Sequence, residues 1–150
     1  MELQTLDSTA ENIKIVTFQV DGEEYGVDIS IVNSIEKMMA ITRVPNVSEC
    51  IVGVMNLRGN VIPVIDLRKR FNLTTKQYDD ETRIIVLTLQ ENEIGVVVDS
   101  CSSVTDINKN NIEPPPSVMG DVDSAYIQGA TKLDNRLIIL LDMEETIKNV

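Results

Sequence analysis

Short runs of Val, Ile and Leu recur along the chain, and polar turn residues separate them at close spacing. Runs of this length, rich in β-branched residues, are typical of β-strands, and their regular spacing is typical of an all-β domain. We therefore predict ten strands. They cover residues 13–20, 24–28, 40–45, 51–57, 60–66, 83–90, 93–98, 101–107, 126–133 and 136–141.

Four short polar segments lie between successive apolar runs. They are Asp21-Gly22, Arg58-Gly59-Asn60, Gln90-Glu91-Asn92 and Asp134-Asn135. Gly, Asn and Asp are the residues that tight hairpin turns favour. The pattern therefore predicts four β-hairpins with polar tips.

Helical spacing interrupts the strand pattern in few places. Apolar residues recur at intervals of three behind Asp28, at Ile29, Val32, Ile35 and Met38 or Met39. Asp28 could cap such a segment, so we predict a helix over residues 28–38. Near the chain end, the sequence DMEE at 142–145 resembles a capping box. A third short helical turn is expected directly after Asp66.

The second half of the chain weakly repeats the first. Residues 18–29 (FQVDGEEYGVDI) align with 87–98 (LTLQENEIGVVV), and residues 51–67 align with 127–143. We predict one domain, residues 13–149, made of two similar subdomains at roughly 13–78 and 82–149. A half of fewer than about 70 residues buries only a marginal core by itself. The subdomains are therefore expected to pack closely, with or without exchange of strands.

Two segments are predicted to lie outside the strands and helices. Residues 1–12 are polar and aperiodic, and we expect a flexible N-terminal tail. Residues 108–116 contain three consecutive prolines, which cannot donate hydrogen bonds to a ladder, so an extended surface connector is expected. The link between the two halves is expected near residues 77–81.

Composition excludes several classes of function. The 150 residues carry 13 Lys and Arg against 24 Asp and Glu, a net charge of -11, and such a chain repels nucleic acid. Histidine is absent, which removes the commonest general base and zinc ligand. Cys50 and Cys101 lie in apolar segments and are interpreted as buried hydrophobes. No apolar run is long enough to span a membrane, so a cytoplasmic protein is expected.

An enzyme would need a recognisable group of catalytic residues. Asp66, Asp99 and Asp142 each follow an apolar strand and could form paired carboxylates. Asp66 and Asp142, however, occupy equivalent positions of the repeat, where each can cap the following turn. We therefore assign no catalytic residue, no metal ligand and no cofactor.

An arginine at the tip of a predicted hairpin has two interpretations. Arg58 lies between two apolar strands, where a charged side chain can simply remain in water. Loops on a rigid scaffold are also where binding groups tend to lie, and a guanidinium suits carboxylates and backbone carbonyls. Arg58 is therefore a candidate binding residue.

An ordered set of motifs over most of the chain resembles the chemotaxis coupling proteins of the CheW type. The motifs are EYGVDI at 24–29, IVGVMNLRG at 51–59, VIPVIDL at 61–67, IIVL at 84–87, GVVVD at 95–99, IEPP at 112–115 and YIQG at 126–129. The resemblance implies an all-β fold of two intertwined five-stranded barrels, SH3-like or OB-like, with short helices.

The same resemblance implies a non-enzymatic adaptor. It would link the cytoplasmic hairpin of chemoreceptors to the regulatory domain of a CheA-type histidine kinase, in the cytoplasm beneath membrane-associated receptor arrays. The family alternatives are a detached regulatory domain of a kinase and a coupling domain fused to a receiver. Because Met1 lies close to the first predicted strand, a free-standing coupling protein is favoured.

The resemblance also assigns binding residues. The receptor is expected in a groove between the barrels, contacted by Arg58, Ile29, Val32 and Val104, and Gly53 is the candidate kinase-binding position. Two segments depart from the family pattern. Cys101 makes one groove contact smaller, and Asn33-Ser34 stands where the family commonly has an acidic residue.

Overall fold

The computed structural model describes residues 12–114, 123–148 and 150, so most of the predicted tail and the end of the connector lie outside the described residues. Ten strands and two short α-helices are present in the described part of the chain. They are β1 (Asn12–Val20), β2 (Glu23–Asp28), β3 (Val32–Lys37), β4 (Ile51–Leu57), β5 (Asn60–Asp66), α1 (Leu67–Arg70), β6 (Arg83–Leu89), β7 (Asn92–Val98), β8 (Ser100–Asn108), β9 (Ile127–Leu133), β10 (Arg136–Leu141) and α2 (Met143–Thr146). Single 3₁₀ turns cover Ile29–Ile31, Lys109–Asn111 and Ser124–Tyr126.

The strands form two five-stranded sheets, and the predicted all-β class is confirmed. The first sheet has the order β8-β1-β2-β10-β9, and the second has the order β3-β6-β7-β5-β4. Within each sheet three pairings are antiparallel, whereas β2 with β10 and β7 with β5 pair in parallel. Each sheet therefore combines strands that are close and distant in sequence.

The two strand orders become identical when each strand is replaced by its equivalent in the repeat. Strands β1–β5 correspond in order to β6–β10, so the first sheet takes β1 and β2 from the first half and three strands from the second. A β-bulge interrupts the β1–β8 pairing after Thr17 and the β3–β6 pairing after Val32. We propose on this pattern that the domain is a duplication whose halves have exchanged strands.

Each sheet curves into a barrel that an isolated bridge helps to close. In the second barrel, Thr42 exchanges two backbone hydrogen bonds of 2.8 Å with Val54 of β4. In the first, Glu113 exchanges hydrogen bonds of 2.8 and 2.9 Å with Ala130 of β9. Glu113 belongs to the predicted connector, which therefore pairs with the barrel instead of only crossing its surface.

The largest apolar core lies between the two barrels. It combines Val16 and Phe18 of β1 with Ile85 and Leu87 of β6, all at most 2% exposed. A smaller cluster fills each barrel separately. Because burial of each large aliphatic side chain contributes about 1.5–3 kcal/mol, the shared core makes the barrels depend on one another for stability.

The predicted helix at 28–38 and the predicted strand at 40–45 are wrong. The Asp28 side chain accepts from the Ser30 backbone N–H at 2.9 Å, as a cap does, but the turn ends at Ile31. The chain then forms β3, which pairs with β6 and alternates half-buried and exposed residues. β-branched residues suit this pleated edge, so pairing with β6 overrides the helical spacing.

The two predicted aspartate caps are present. The Asp66 carboxylate accepts from the Arg68 backbone N–H at 2.9 Å, and the Asp142 carboxylate accepts from the Glu145 backbone N–H at 3.2 Å. The backbone N–H of Asp142 donates to the backbone carbonyl of Tyr126 at 2.8 Å and not to the Glu145 side chain, so the capping box is only half formed. Both carboxylates therefore begin helices at equivalent positions of the repeat.

The four predicted hairpins all have two central residues with positive φ. Of these four turns, only the β6–β7 turn has neither Gly, Asn nor Asp at the two central positions, where Gln90 and Glu91 have φ of 50° and 70°.

We expect Glu91→Gly to raise the free energy of unfolding by about 1 kcal/mol, because glycine adopts this conformation without steric cost. Urea denaturation measures the change. The matched control is Gly22→Glu, at the equivalent turn position with φ of 81° and open space around it, which should lower stability by a similar amount. Equal stability of wild type and Glu91→Gly would contradict the expectation.

Candidate protein-binding site

Arg58 lies at the tip of the β4–β5 hairpin with its side chain 74% exposed. Its φ of 54° is a conformation that costs free energy for a long side chain and that Asn or Gly adopts more readily. The Asn56 side chain accepts from the backbone N–H of Gly59 at 3.0 Å, which holds the turn. The hairpin thus presents a guanidinium to solvent on a well-defined loop.

Glu36 of β3 is the acidic partner of Arg58 within this chain. Its carboxylate lies 3.8 Å from the Arg58 guanidinium, and it shares the half-buried face of β3 with Val32 and Ser34. Glu36 is not among the binding residues predicted from the sequence, because its contact with Arg58 depends on how β3 and the β4–β5 hairpin meet in the fold. Glu36 lies two residues beyond Ser34 on the same strand. The 3.8 Å separation is too long for a hydrogen bond and Arg58 is exposed, so the pair contributes little to stability.

The three apolar receptor-binding candidates lie on two edge strands or beside them. Ile29 is exposed in the 3₁₀ turn before β3, and Val32 is half-buried against the shared core. Val104 is 53% exposed on β8, the edge strand of the first sheet. Val32 lies on the same face of β3 as Glu36, the ion-pair partner of Arg58, while Val104 belongs to the other barrel.

Ile35 is an exposed apolar residue that the sequence did not mark as a binding residue. It is 41% exposed on β3 and pairs with Ile85 of β6. Val104 pairs with Val16 of β1, and Val16 is the repeat equivalent of Ile85. Ile35 and Val104 therefore occupy corresponding positions on the outward faces of the two edge strands.

Gly53 is buried on β4 at the closure of the second barrel. A Cβ atom built on it would lie 2.2 Å from the carbonyl oxygen of Thr42, and its φ is 149°. The lack of a side chain at Gly53 therefore lets the Thr42 backbone of the same chain approach closely. A role of Gly53 in kinase binding stays a prediction.

The candidate catalytic carboxylates are engaged in structural hydrogen bonds. Besides capping α1, Asp66 accepts from the Tyr78 hydroxyl at 2.8 Å, and both Asp99 oxygens accept from Arg68 at 2.9 and 2.7 Å. Burial alone would raise the pKa of Asp99, but the hydrogen bonds from Arg68 and from the Asp21 backbone outweigh it and lower that pKa. Burial, followed by the hydrogen bond to Asp66, raises the pKa of the Tyr78 hydroxyl. Among residues 12–114 and 123–148, no group of acidic and Cys side chains could hold a metal ion.

The CheW-like domain family matches residues 14–150. The chain belongs to this family. It is 44% identical to the chemotaxis protein CheW of Bacillus subtilis over 86% of this chain and 83% of that protein. It is 35% identical to CheW of Klebsiella aerogenes over 91% and 82% of the two chains.

A solved structure of a CheW-like protein supports the fold as well. The scaffolding protein TtCheW of Thermoanaerobacter tengcongensis superposes with a TM-score of 0.84 and 38% identity, over 91% of this chain and 92% of that one. The predicted pair of five-stranded barrels is thereby confirmed for this CheW-like domain. Within the described ranges, no helix is long and apolar enough to cross a membrane.

Proposed function

We propose that this CheW-like protein is a non-enzymatic adaptor that couples the cytoplasmic hairpin of chemoreceptors to a CheA-type histidine kinase. The observation that carries the proposal is the family match over residues 14–150, together with relatives named chemotaxis protein CheW and a structural neighbour named as a scaffolding protein. An adaptor changes the kinase rate only by holding receptor and kinase in one assembly and shifting the populations of kinase states.

The receptor surface in this proposal is the groove between the barrels. A receptor tip is a helical hairpin, which apolar anchors in a groove recognise and polar groups hold in register. Ile29, Val32 and Val104 are the proposed anchors, and Arg58 is the proposed polar contact. A strained backbone at an exposed arginine supports a binding role, because Asn would satisfy the turn at lower cost.

The kinase surface is proposed to lie on the second barrel near Gly53. The kinase regulatory domain would contact the segment that closes this barrel, and the complex would be recruited to receptor arrays at the membrane. This arrangement leaves the receptor groove free, so one protein can contact both partners at once.

We expect Arg58→Glu to weaken receptor binding at least about tenfold, equivalent to about 1.4 kcal/mol, because it removes the guanidinium and adds a repulsive charge beside Glu36. Kinase affinity and thermal stability should stay close to wild type, since the side chain is solvated. Titration of purified receptor fragments and kinase, each against the variant, measures both affinities.

The matched control is Lys132→Glu, which makes the same charge change on an exposed residue before the β9–β10 hairpin of the other barrel. Lys132→Glu should leave receptor affinity unchanged. Receptor affinity that is equal in Arg58→Glu and wild type would remove Arg58 from the site.

Reconstitution tests the adaptor function as a whole. Receptor in vesicles, the CheA-type kinase and ATP are combined with and without this protein, and kinase autophosphorylation is followed with and without receptor ligand. We expect ligand-dependent autophosphorylation only when the protein is present. A rate of autophosphorylation that responds to receptor ligand equally well with and without the protein would refute the proposed function.

A further inference from the structure

The repeat creates two corresponding junctions between a hairpin and a helix. In the first junction the β1–β2 hairpin packs against α1, and in the second the β6–β7 hairpin packs against α2. Arg68 of α1 lies 3.4 Å from Asp21, and Gln90 lies 3.5 Å from Glu144 of α2.

Aromatic rings and an arginine fill the first junction. Tyr25 and Phe71 are at most 2% exposed, and their ring centroids lie 5.7 Å apart. Arg68 bridges the hairpin to the rest of the domain through Asp21 and Asp99. The rings of Tyr25 and Phe71 therefore occupy the interior of the first junction.

The second junction carries smaller and oppositely charged residues at the same places. Ile94 and Ile147 replace the two rings, Gln90 replaces Asp21, and Glu144 replaces the arginine. A cleft of about 370 Å³ lies there. It is lined by Leu89, Gln90, Asn92, Ile94, Glu144, Glu145, Ile147 and Lys148.

The cleft has an apolar floor and an acidic edge. Leu89, Ile94 and Ile147 supply the floor, and Glu144 is exposed at the edge. Glu145 is paired with Lys148 at 3.6 Å, so the carboxylate of Glu144 carries the uncompensated charge of this group. A volume of this size accommodates one or two side chains.

We propose that this cleft binds a protein segment that presents an aromatic side chain next to Arg or Lys. The ring would occupy the space that Tyr25 and Phe71 fill in the first junction, and the cation would lie beside Glu144, where the first junction has its own arginine. The ligand thus supplies both features that the second junction lacks. The site lies on a different hairpin from Arg58, and it does not depend on the proposed receptor or kinase contacts.

The probe is N-acetyl-Phe-Arg-amide, titrated into ¹⁵N-labelled full-length protein while amide chemical shifts are recorded. We expect saturable shifts at residues 89–94 and 144–148, with a dissociation constant in the millimolar range. N-acetyl-Ala-Arg-amide and N-acetyl-Phe-Glu-amide should each bind at least fivefold more weakly. Absence of saturable shifts at these amides, or equal binding of the Ala-Arg probe, would overturn the proposal.

Two variants test the cleft itself. The double variant Ile94→Tyr with Ile147→Phe copies the side chains of the first junction and should abolish binding by filling the space. Glu144→Arg should weaken binding of the Phe-Arg probe at least fivefold and favour the Phe-Glu probe. Unchanged amide shifts outside the cleft establish that each variant is folded. Unaltered probe affinity in both folded variants would refute the site. This outcome would leave the proposed receptor binding by Arg58 untouched, because the Arg58 titration tests that proposal separately.

Discussion

Replacing Arg68 by Met is expected to lower the free energy of unfolding by about 2–4 kcal/mol, because the partly buried carboxylate of Asp99 loses its charged partner and two hydrogen bonds. Arg68 is only 13% exposed, and its guanidinium donates two hydrogen bonds to Asp99, of 2.9 and 2.7 Å. A third bond of 2.8 Å goes to the backbone carbonyl of Thr74. The side chain therefore joins α1, the β7–β8 junction and the segment that follows α1.

The cost comes mainly from the charge that remains after the substitution. The carboxylate of Asp99 is only 18% exposed in the wild-type protein, and without the guanidinium it keeps the Asp21 backbone N–H at 2.8 Å as a donor. A partly buried carboxylate with one donor is poorly solvated. The double variant Arg68→Met with Asp99→Leu should therefore regain part of the loss.

An exposed ion pair provides the control for this experiment. Lys14 and Asp106 lie 2.8 Å apart, with 60% and 65% of their side chains exposed. Lys14→Met should cost at most about 1 kcal/mol, because solvent screens such a pair. Urea denaturation of all variants gives the comparison. An Arg68→Met loss as small as that of Lys14→Met would show that the partly buried Arg68–Asp99 pair does not stabilise the fold.

The lowered pKa of Asp99 gives this effect a dependence on pH. A carboxyl with a lower pKa in the folded state contributes stability that is fully present above its unfolded value, near 3.8. That contribution is lost as the pH falls through the lowered pKa. The stability difference between wild type and Arg68→Met should therefore be constant near neutral pH and shrink below about pH 4.

Local sequence signals are sufficient for the hairpins, the helix caps and nine of the ten strands, whereas β3 is missed and residues 40–45 are wrongly predicted as a strand. Asp66 and Asp142 each follow an apolar strand and begin a turn, so their roles could be read from a few neighbouring residues. The segment after Asp28 was misread because Ile29, Val32 and Ile35 fit helical spacing as well as an edge strand. Only pairing with β6, distant in sequence, decides between the two.

The same limit applies to the candidate site. Arg58 could be placed at a hairpin tip from its turn alone, and the structure puts it there. Glu36 could not be paired with it until β3 was known to be a strand. Arg68 was unpredictable for a related reason, since its main partner Asp99 lies 31 positions further along the chain.

Gly53→Ala is expected to open the second barrel locally and to cost on the order of 3 kcal/mol. A Cβ atom would lie 2.2 Å from the Thr42 carbonyl oxygen and 2.8 Å from the Ile41 side chain, so the Thr42 segment must move away. That movement breaks the two backbone hydrogen bonds between Thr42 and Val54, worth about 1 kcal/mol each. Strain at a φ of 149° adds about 1–3 kcal/mol.

Hydrogen exchange locates the change. The amides of Thr42 and Val54 should lose protection in Gly53→Ala, while the shared core between β1 and β6 keeps it. Gly129→Ala is the matched variant at the equivalent position of the first barrel, where a Cβ would lie 2.7 Å from the Glu113 carbonyl oxygen. Its effect should be smaller and confined to the Glu113–Ala130 bridge. Retained protection of Thr42 and Val54 in Gly53→Ala would contradict this account.

Gly53→Ala also separates two ways in which Gly53 could affect kinase binding. Gly53 is buried, so we expect it to act by keeping the barrel closed and not by touching the kinase. Thr42→Pro removes the backbone N–H that bonds to Val54 and opens the same closure without changing Gly53. Kinase affinity should therefore fall by a similar factor in both variants, whereas a fall in Gly53→Ala alone would indicate a direct contact. Receptor affinity should fall much less in either variant, because Arg58 remains on the intact β4–β5 hairpin.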